Sequence, residues 1–145
     1  MFQELATMIV GIIGGVSVGL QSPVVNSMSQ RVGTAAGSFI IHVSGAFFSG
    51  LLLLARGGEQ FREVRSLPIW MLASGLFGVV LFVTINHTIP RIGTAAAVGL
   101  IIVGQLVVGM IVDHFGLLGV TARPVELTRL IAALFLLVGG YLMVR

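Results

Sequence analysis

The chain contains no cysteine and no lysine, and 9% of its 145 residues are charged. The lack of cysteine excludes disulfides, thiol catalysis and thiolate metal sites. Soluble domains carry about 25% charged residues, so a chain this poor in charge could not cover a soluble fold with polar surface. Its formal net charge of +3 comes from arginines that are scattered singly or lie in one short loop. This distribution predicts no nucleic-acid partner.

Long runs without a charged side chain occupy most of the sequence, and hydrophobic residues make up 57% of it. A helix needs about 20 residues to cross a hydrocarbon core of about 30 Å. The runs lack the alternation of barrel strands, so helices must satisfy their backbone inside the bilayer. Four runs are long enough to cross, at residues 5–30, 32–55, 66–90 and 92–112, and a shorter one covers residues 130–144.

The shorter run predicts a fifth helix over about 125–144, with Arg129 extending along its aliphatic stem to the membrane surface. We therefore predict an all-α integral membrane protein with five transmembrane helices, forming a single domain over residues 1–145. Residues 56–65 read as a solvated loop. Trp70 and Tyr141 suit either an interfacial aromatic belt or ordinary packing. The first apolar run is too long, and its flank too poor in basic residues, for a cleaved signal peptide.

An eleven-residue segment that begins at Asn26 recurs sixty residues later, beginning at Asn86. Six of the eleven positions are identical. Both copies lie where an odd-numbered helix turns into the next helix. The repeat predicts two tandem helical hairpins, over about residues 5–55 and 66–113, with the fifth helix outside the repeat.

Glycines at GxxxG spacing occur in the first helix, at Gly11, Gly15 and Gly19, and Ser74 and Gly78 have the same spacing in the third. Such spacing lets helix backbones approach closely in lipid, so it predicts helix packing.

The number of arginines differs little between the two membrane sides. With five spans, one side would hold five of them and the other would hold Arg31, Arg91 and Arg145. The positive-inside rule mildly favours a cytoplasmic N-terminus and 56–65 loop. A bias this weak also permits insertion in both orientations.

Polar side chains inside the bilayer are costly unless they face protein or water, so they are candidates for contact with a solute. His42 lies near mid-span, on one helix face with Ser38 and Gly45. Imidazole changes charge near neutral pH, so His42 suggests either proton coupling or a neutral ring bonded across a helix interface. Gln105 could bind a neutral polar solute or join two helices.

Pro23 can kink the first helix and free a carbonyl there, which favours its neighbours Gln21 and Asn26 as cavity-lining residues. Ser17 lies one turn before Gln21 and could instead bond its own helix. The predicted substrate-binding residues are Gln21, Asn26, His42, Gln105, Ser17 and Ser38.

Other polar residues favour structural roles. Arg31 and Arg91 could attract anionic solutes but suit headgroup anchoring better. Asp113 could pair with Arg123 or cap a loop. The sequence has no paired-carboxylate site, and its histidines lack metal-ligand spacing, so we expect no enzyme activity, cofactor or metal site.

Several short motifs are shared with a known family. The most specific are Gly104-Gln105 and the segment Asp113-His114-Phe115-Gly116; others are Gln21-Ser-Pro23-Val-Val-Asn26, Gly33, Gly45, Gly75, Gly78 and Pro90-Arg-Ile-Gly93. Through these motifs the chain resembles the YdcZ-like, five-helix members of the bacterial drug/metabolite transporter superfamily. The similarity runs through essentially the whole chain.

The resemblance implies half of a ten-helix transporter that is built from two inverted five-helix repeats. Such a half needs an oppositely oriented copy, and the shared substrate site would lie near the midplane. We therefore expect a multi-pass protein of the bacterial inner membrane. It would work as an antiparallel homodimer and move a small polar or amphipathic solute by alternating access. Four-helix multidrug relatives carry a glutamate within helix one; here Glu4 lies at its very start, which argues against their mechanism.

Three alternatives fit the same residues. The chain could form a dual-topology channel, serve as a non-transporting membrane partner subunit, or be one half of an obligate heterodimer with an oppositely oriented paralogue.

Overall fold

A computed structural model describes residues 2–145 of the chain. Within that range five helical segments are long and apolar enough to cross a membrane. This confirms the predicted all-α membrane fold. The helices are α1 (Phe2–Val32), α2 (Thr34–Ala55), α3 (Ile69–Leu72), α4 (Gly75–Ile92), α5 (Thr94–Phe115) and α6 (Leu127–Val144). The short α3 and α4 together form the third span.

The connection between α2 and α3 is partly ordered as helix. A 3-10 helix over Phe61–Ser66 follows the solvated turn, and Pro68 then precedes α3 in extended conformation. The fifth span begins at Leu127, slightly later than the predicted start near residue 125, because Glu126 is still extended.

The chain divides into two compact units, one ending at His87 and the other running from Thr88 to Arg145. In the first unit α1 packs against α2, and in the second α5 packs against α6. The first contact is tight because Gly37 of α2 faces Ser29 of α1. A Cβ atom at Gly37 would lie 2.8 Å from the Ser29 Oγ and 3.1 Å from the Phe82 ring. Small residues therefore set the approach of these helices.

Single glycines connect α1 to α2 and α4 to α5. Gly33 has φ 89° and ψ 155°, and Gly93 has φ 80° and ψ 165°. This region of backbone space is essentially restricted to glycine. Each glycine N–H donates to the carbonyl four residues earlier, at 2.8 and 2.9 Å. The two copies of the eleven-residue segment thus adopt the same turn sixty residues apart.

Most of the apolar surface of the spanning helices points outward. Phe77 is 76% exposed and Phe135 is 74% exposed. In the most apolar stretch of each of the five spans, at most 11% of the residues are buried. No described residue outside α1 lies within 4 Å of a Cβ placed at Gly11, Gly15 or Gly19. Lipid tails, or another protein chain, would cover such surface, as in an integral membrane protein.

Candidate functional site

A groove in the first unit brings Gln21 and His42 together. It encloses about 330 Å³ between α1, α2 and α4. These two polar side chains stand among apolar walls; the other lining residues are Val25, Ile41, Gly45, Gly78, Leu81, Phe82 and Ile85. A groove with few polar groups in apolar surroundings suits a small amphipathic molecule.

The imidazole of His42 is held by its own helix. Its Nδ1 lies 2.7 Å from the carbonyl oxygen of Ser38 and 3.5 Å from the Ser38 hydroxyl. A carbonyl oxygen can only accept, so Nδ1 carries the proton and donates it. In the neutral ring Nε2 then carries the lone pair. The hydrogen bond runs along α2, one turn back, and not across a helix interface.

Gly78 of α4 makes room for the other side of this ring. A Cβ atom at Gly78 would lie 2.9 Å from the His42 Nε2. The Phe82 ring lies one turn further on, with its centroid 6.5 Å from that of His42. The sequence suggested Gly78 as a packing residue. In the structure, the atom that lies against Gly78 is the Nε2 of His42.

The remaining polar candidates of the first unit stand outside the groove lining. The Ser17 hydroxyl donates to the Ile13 carbonyl at 2.9 Å, so it bonds its own helix. Ser38 is buried behind His42, which it orients. Asn26 is partly buried, one position beyond Val25. Helix α1 continues through Pro23 without a break.

Gln105 lines a groove of the second unit, between α5 and α6. This groove encloses about 480 Å³, and its walls are mostly apolar. Asp113 and Arg129 line it as well, with 3.8 Å between the carboxylate and the guanidinium. The ion pair thus joins α5 to the first turn of α6. The Asp113 carboxylate therefore pairs with Arg129, whereas the sequence suggested Arg123.

The segment that begins at Asp113 organises the connection between α5 and α6. The Asp113 carbonyl accepts the N–H of Arg123 at 2.7 Å. The His114 Nδ1 accepts the N–H of Val125 at 3.3 Å. Gly116 ends α5 in the left-handed conformation, with φ 63°. These contacts return the chain to α6, which is a structural role that composition alone does not reveal.

We expect His114→Ala to loosen this connection locally. Losing one hydrogen bond removes about 1 kcal/mol of local stability, so exchange of the Val125 amide should rise about fivefold. Hydrogen exchange of the protein in lipid nanodiscs measures this rate. The Arg123 amide, bonded to Asp113, is the internal control. His114→Asn supplies an acceptor close to the place of Nδ1 and should restore protection of Val125. Equal protection in His114→Ala and the unaltered chain would contradict the assignment.

The sequence model of a protein family described as "Putative inner membrane exporter, YdcZ" matches residues 6–142. Searches of curated proteins and of solved structures found no match. The matched range includes all of α2 to α5 and most of α1 and α6, which confirms the resemblance seen in the sequence motifs. The chain therefore belongs to this YdcZ family of inner membrane proteins.

Proposed function

We propose that the chain is a half-size exporter of the bacterial inner membrane that works as an antiparallel homodimer. It moves a small amphipathic solute through the groove of Gln21 and His42 by alternating access. One observation supports this above the others. Gln21 lines the groove yet is exposed, although α1 is a spanning helix. An amide facing lipid is costly, so a second protomer that covers the groove would remove the penalty.

An antiparallel copy suits the chain for two further reasons. An odd number of spans places the two ends of the chain on opposite sides, and two such copies in opposite orientations form the inverted repeat of many transporters. The arginines are also divided weakly between the two sides, so neither orientation is strongly disfavoured. In that arrangement two grooves would face each other near the midplane and open in turn to either side.

Cysteine labelling in intact cells tests the orientation. The chain has no cysteine, so Gln60→Cys and Gln30→Cys each introduce one reactive site. Both positions are exposed, and one span (α2) separates them. A membrane-impermeant maleimide should label about half of each variant if both orientations are equally populated, with detergent-opened cells giving the total. Complete labelling of one variant and none of the other would overturn the antiparallel homodimer and favour a heterodimer or a parallel assembly.

Flux measurements separate exchange from conduction. Saturable flux that is stimulated by solute on the opposite side is expected for alternating access, because the site faces one side at a time. Rapid, unsaturated flux would instead identify a channel. Variants at Gln21 that change stability without changing flux would identify a non-transporting subunit.

A further inference from the structure

We infer that the His42 Nε2 is the hydrogen-bond acceptor for the transported solute, and that a proton and the solute compete for this atom. The solute is therefore an uncharged amphipathic molecule with an N–H or O–H donor. This inference rests on the proposed function and adds to it the chemical class of the substrate and the means of coupling.

The hydrogen bond of His42 to its own helix fixes the tautomer of the ring. Its Nδ1 lies 2.7 Å from the Ser38 carbonyl oxygen, which cannot donate. The proton therefore resides on Nδ1, and the neutral ring presents its lone pair at Nε2. The buried position of Ser38 keeps this bond away from competing donors.

The Nε2 atom makes no hydrogen bond to any residue in the described range 2–145, and it lies beside Gly78, where a Cβ atom would stand 2.9 Å away. An acceptor without a partner in low-dielectric surroundings is costly. A solute donor placed in the groove would satisfy it, and glycine at residue 78 lets the ring edge lie there, because a Cβ atom would stand 2.9 Å from Nε2.

Among the lining residues of the groove, none is Asp, Glu, Lys or Arg, and His42 is the one with an ionisable side chain. The walls facing it are Gln21 and Val25 of α1 and Gly78, Leu81 and Phe82 of α4, none of which carries a charge. An ionic solute would find no counter-charge there, whereas the apolar walls favour an uncharged body. The Gln21 amide can donate to or accept from a second polar group.

The coupling follows from the single lone pair. A proton that binds neutral His42 must add at Nε2, because Nδ1 is already protonated. The resulting imidazolium has two N–H donors and no acceptor, so it cannot accept a hydrogen bond from the solute. Proton and solute therefore exclude each other at one atom. In an alternating-access protein, exclusive binding of two ligands exchanges one for the other across the membrane.

Nitrogen-15 NMR of the histidine rings in lipid nanodiscs tests this directly. The probes are indole and phenol, which donate, and 1-methylindole and anisole, which have similar shapes without the donor. We expect the donors to shift the His42 Nε2 signal saturably. The methylated probes should bind about tenfold more weakly, as expected when a polar group is left unpaired. His87 and His114 serve as internal references. Equal effects of donors and methylated probes, or no shift by either donor, would overturn the inference.

Two substitutions of His42 separate the roles of the ring nitrogens. The amide of His42→Asn overlaps Nδ1 and can still donate to Ser38, but it has no distal acceptor. The longer His42→Gln places an acceptor near Nε2. We expect radiolabelled indole to bind His42→Gln and to be lost from His42→Asn. Binding of indole to His42→Asn together with its loss from His42→Gln would show that the hydrogen bond to Ser38 matters instead, and would contradict the inference.

The pH dependence gives an independent readout. If a proton and indole compete for Nε2, the affinity of the unaltered protein for indole should fall as the pH is lowered, approaching a tenfold loss per pH unit for one competing proton. His42→Gln should show no such slope. If the affinity of the unaltered protein for indole does not change with pH, a proton and the solute do not compete for Nε2.

Gly78→Ala provides a variant that leaves His42 in place. Its Cβ atom would lie 2.9 Å from Nε2, so it should cover the lone pair or displace the ring, and indole affinity should fall about tenfold, as for one lost hydrogen bond. Gly75→Ala is the matched control on the same helix, because no described residue outside α4 lies within 4 Å of its Cβ. Equal affinities in the two variants would contradict the position of the solute. Because all these readouts report binding, they are independent of protomer orientation, which the cysteine experiment measures.

Discussion

Leucine at residue 37 is expected to lower the free energy of unfolding by about 1–3 kcal/mol, the usual cost of overpacking a filled interface. The side chain would begin 2.8 Å from the Ser29 Oγ and 3.4 Å from the Ser29 Cα. The hydroxyl can rotate away, but the backbone of α1 can move only by separating the helices. Equilibrium unfolding in detergent micelles or nanodiscs measures the effect.

The matched control for Gly37→Leu is Gly50→Leu on the same helix. No described residue outside α2 lies within 4 Å of a Cβ at Gly50, so a side chain there begins without a close contact. The control should unfold close to the unaltered protein. If Gly37→Leu were as stable as Gly50→Leu, the close approach of α1 and α2 at Ser29 would be wrong.

Alanine at either turn glycine should also destabilise the protein, by about 1–3 kcal/mol for each substitution, because the native backbone angles there exclude a Cβ. Gly33 and Gly93 have nearly the same angles, so we expect nearly the same loss from each. Neither position is crowded by described residues, so the effect measures backbone strain and not contact. The same unfolding measurement applies.

Thr34→Ala and Thr94→Ala are the controls for the turn variants, since they change the next residue, which is already helical. Both should alter stability less than the glycine substitutions do. A loss at Gly33 but not at Gly93 would mean that the two turns differ in conformation.

The five spans follow from the sequence because the bilayer imposes one simple requirement, a long apolar run without charge. The same requirement says little about breaks within a run. The third span is interrupted at Ala73 and Ser74, between α3 and α4, although no residue there is charged or proline. Sequence also places the start of α6 poorly, because the charged Arg129 lies in the first turn of the helix.

The sequence shows which polar side chains lie within the spans but not which helices those side chains meet. Helical periodicity puts His42 and Gly45 on one face, but it does not say which helix that face meets. The approach of His42 to Gly78 depends on the absence of one Cβ atom on another helix. The partner of Asp113 depends in turn on where α6 begins, which brings Arg129 to it. Such details arise from packing between segments distant in sequence, where residue type alone is uninformative.

The one-residue joints at Gly33 and Gly93 also restrict how the gene can be altered. An epitope tag or a fluorescent reporter inserted at either joint would have to interrupt a helix, because no spare residue separates the flanking helices. The segments 56–68 and 116–126 contain turns and extended residues that can accept added length. An odd number of spans separates each joint from each of these segments, so internal fusions and cleavage sites are confined to one membrane side of each protomer. In a population inserted both ways, a single internal reporter would therefore sample both compartments.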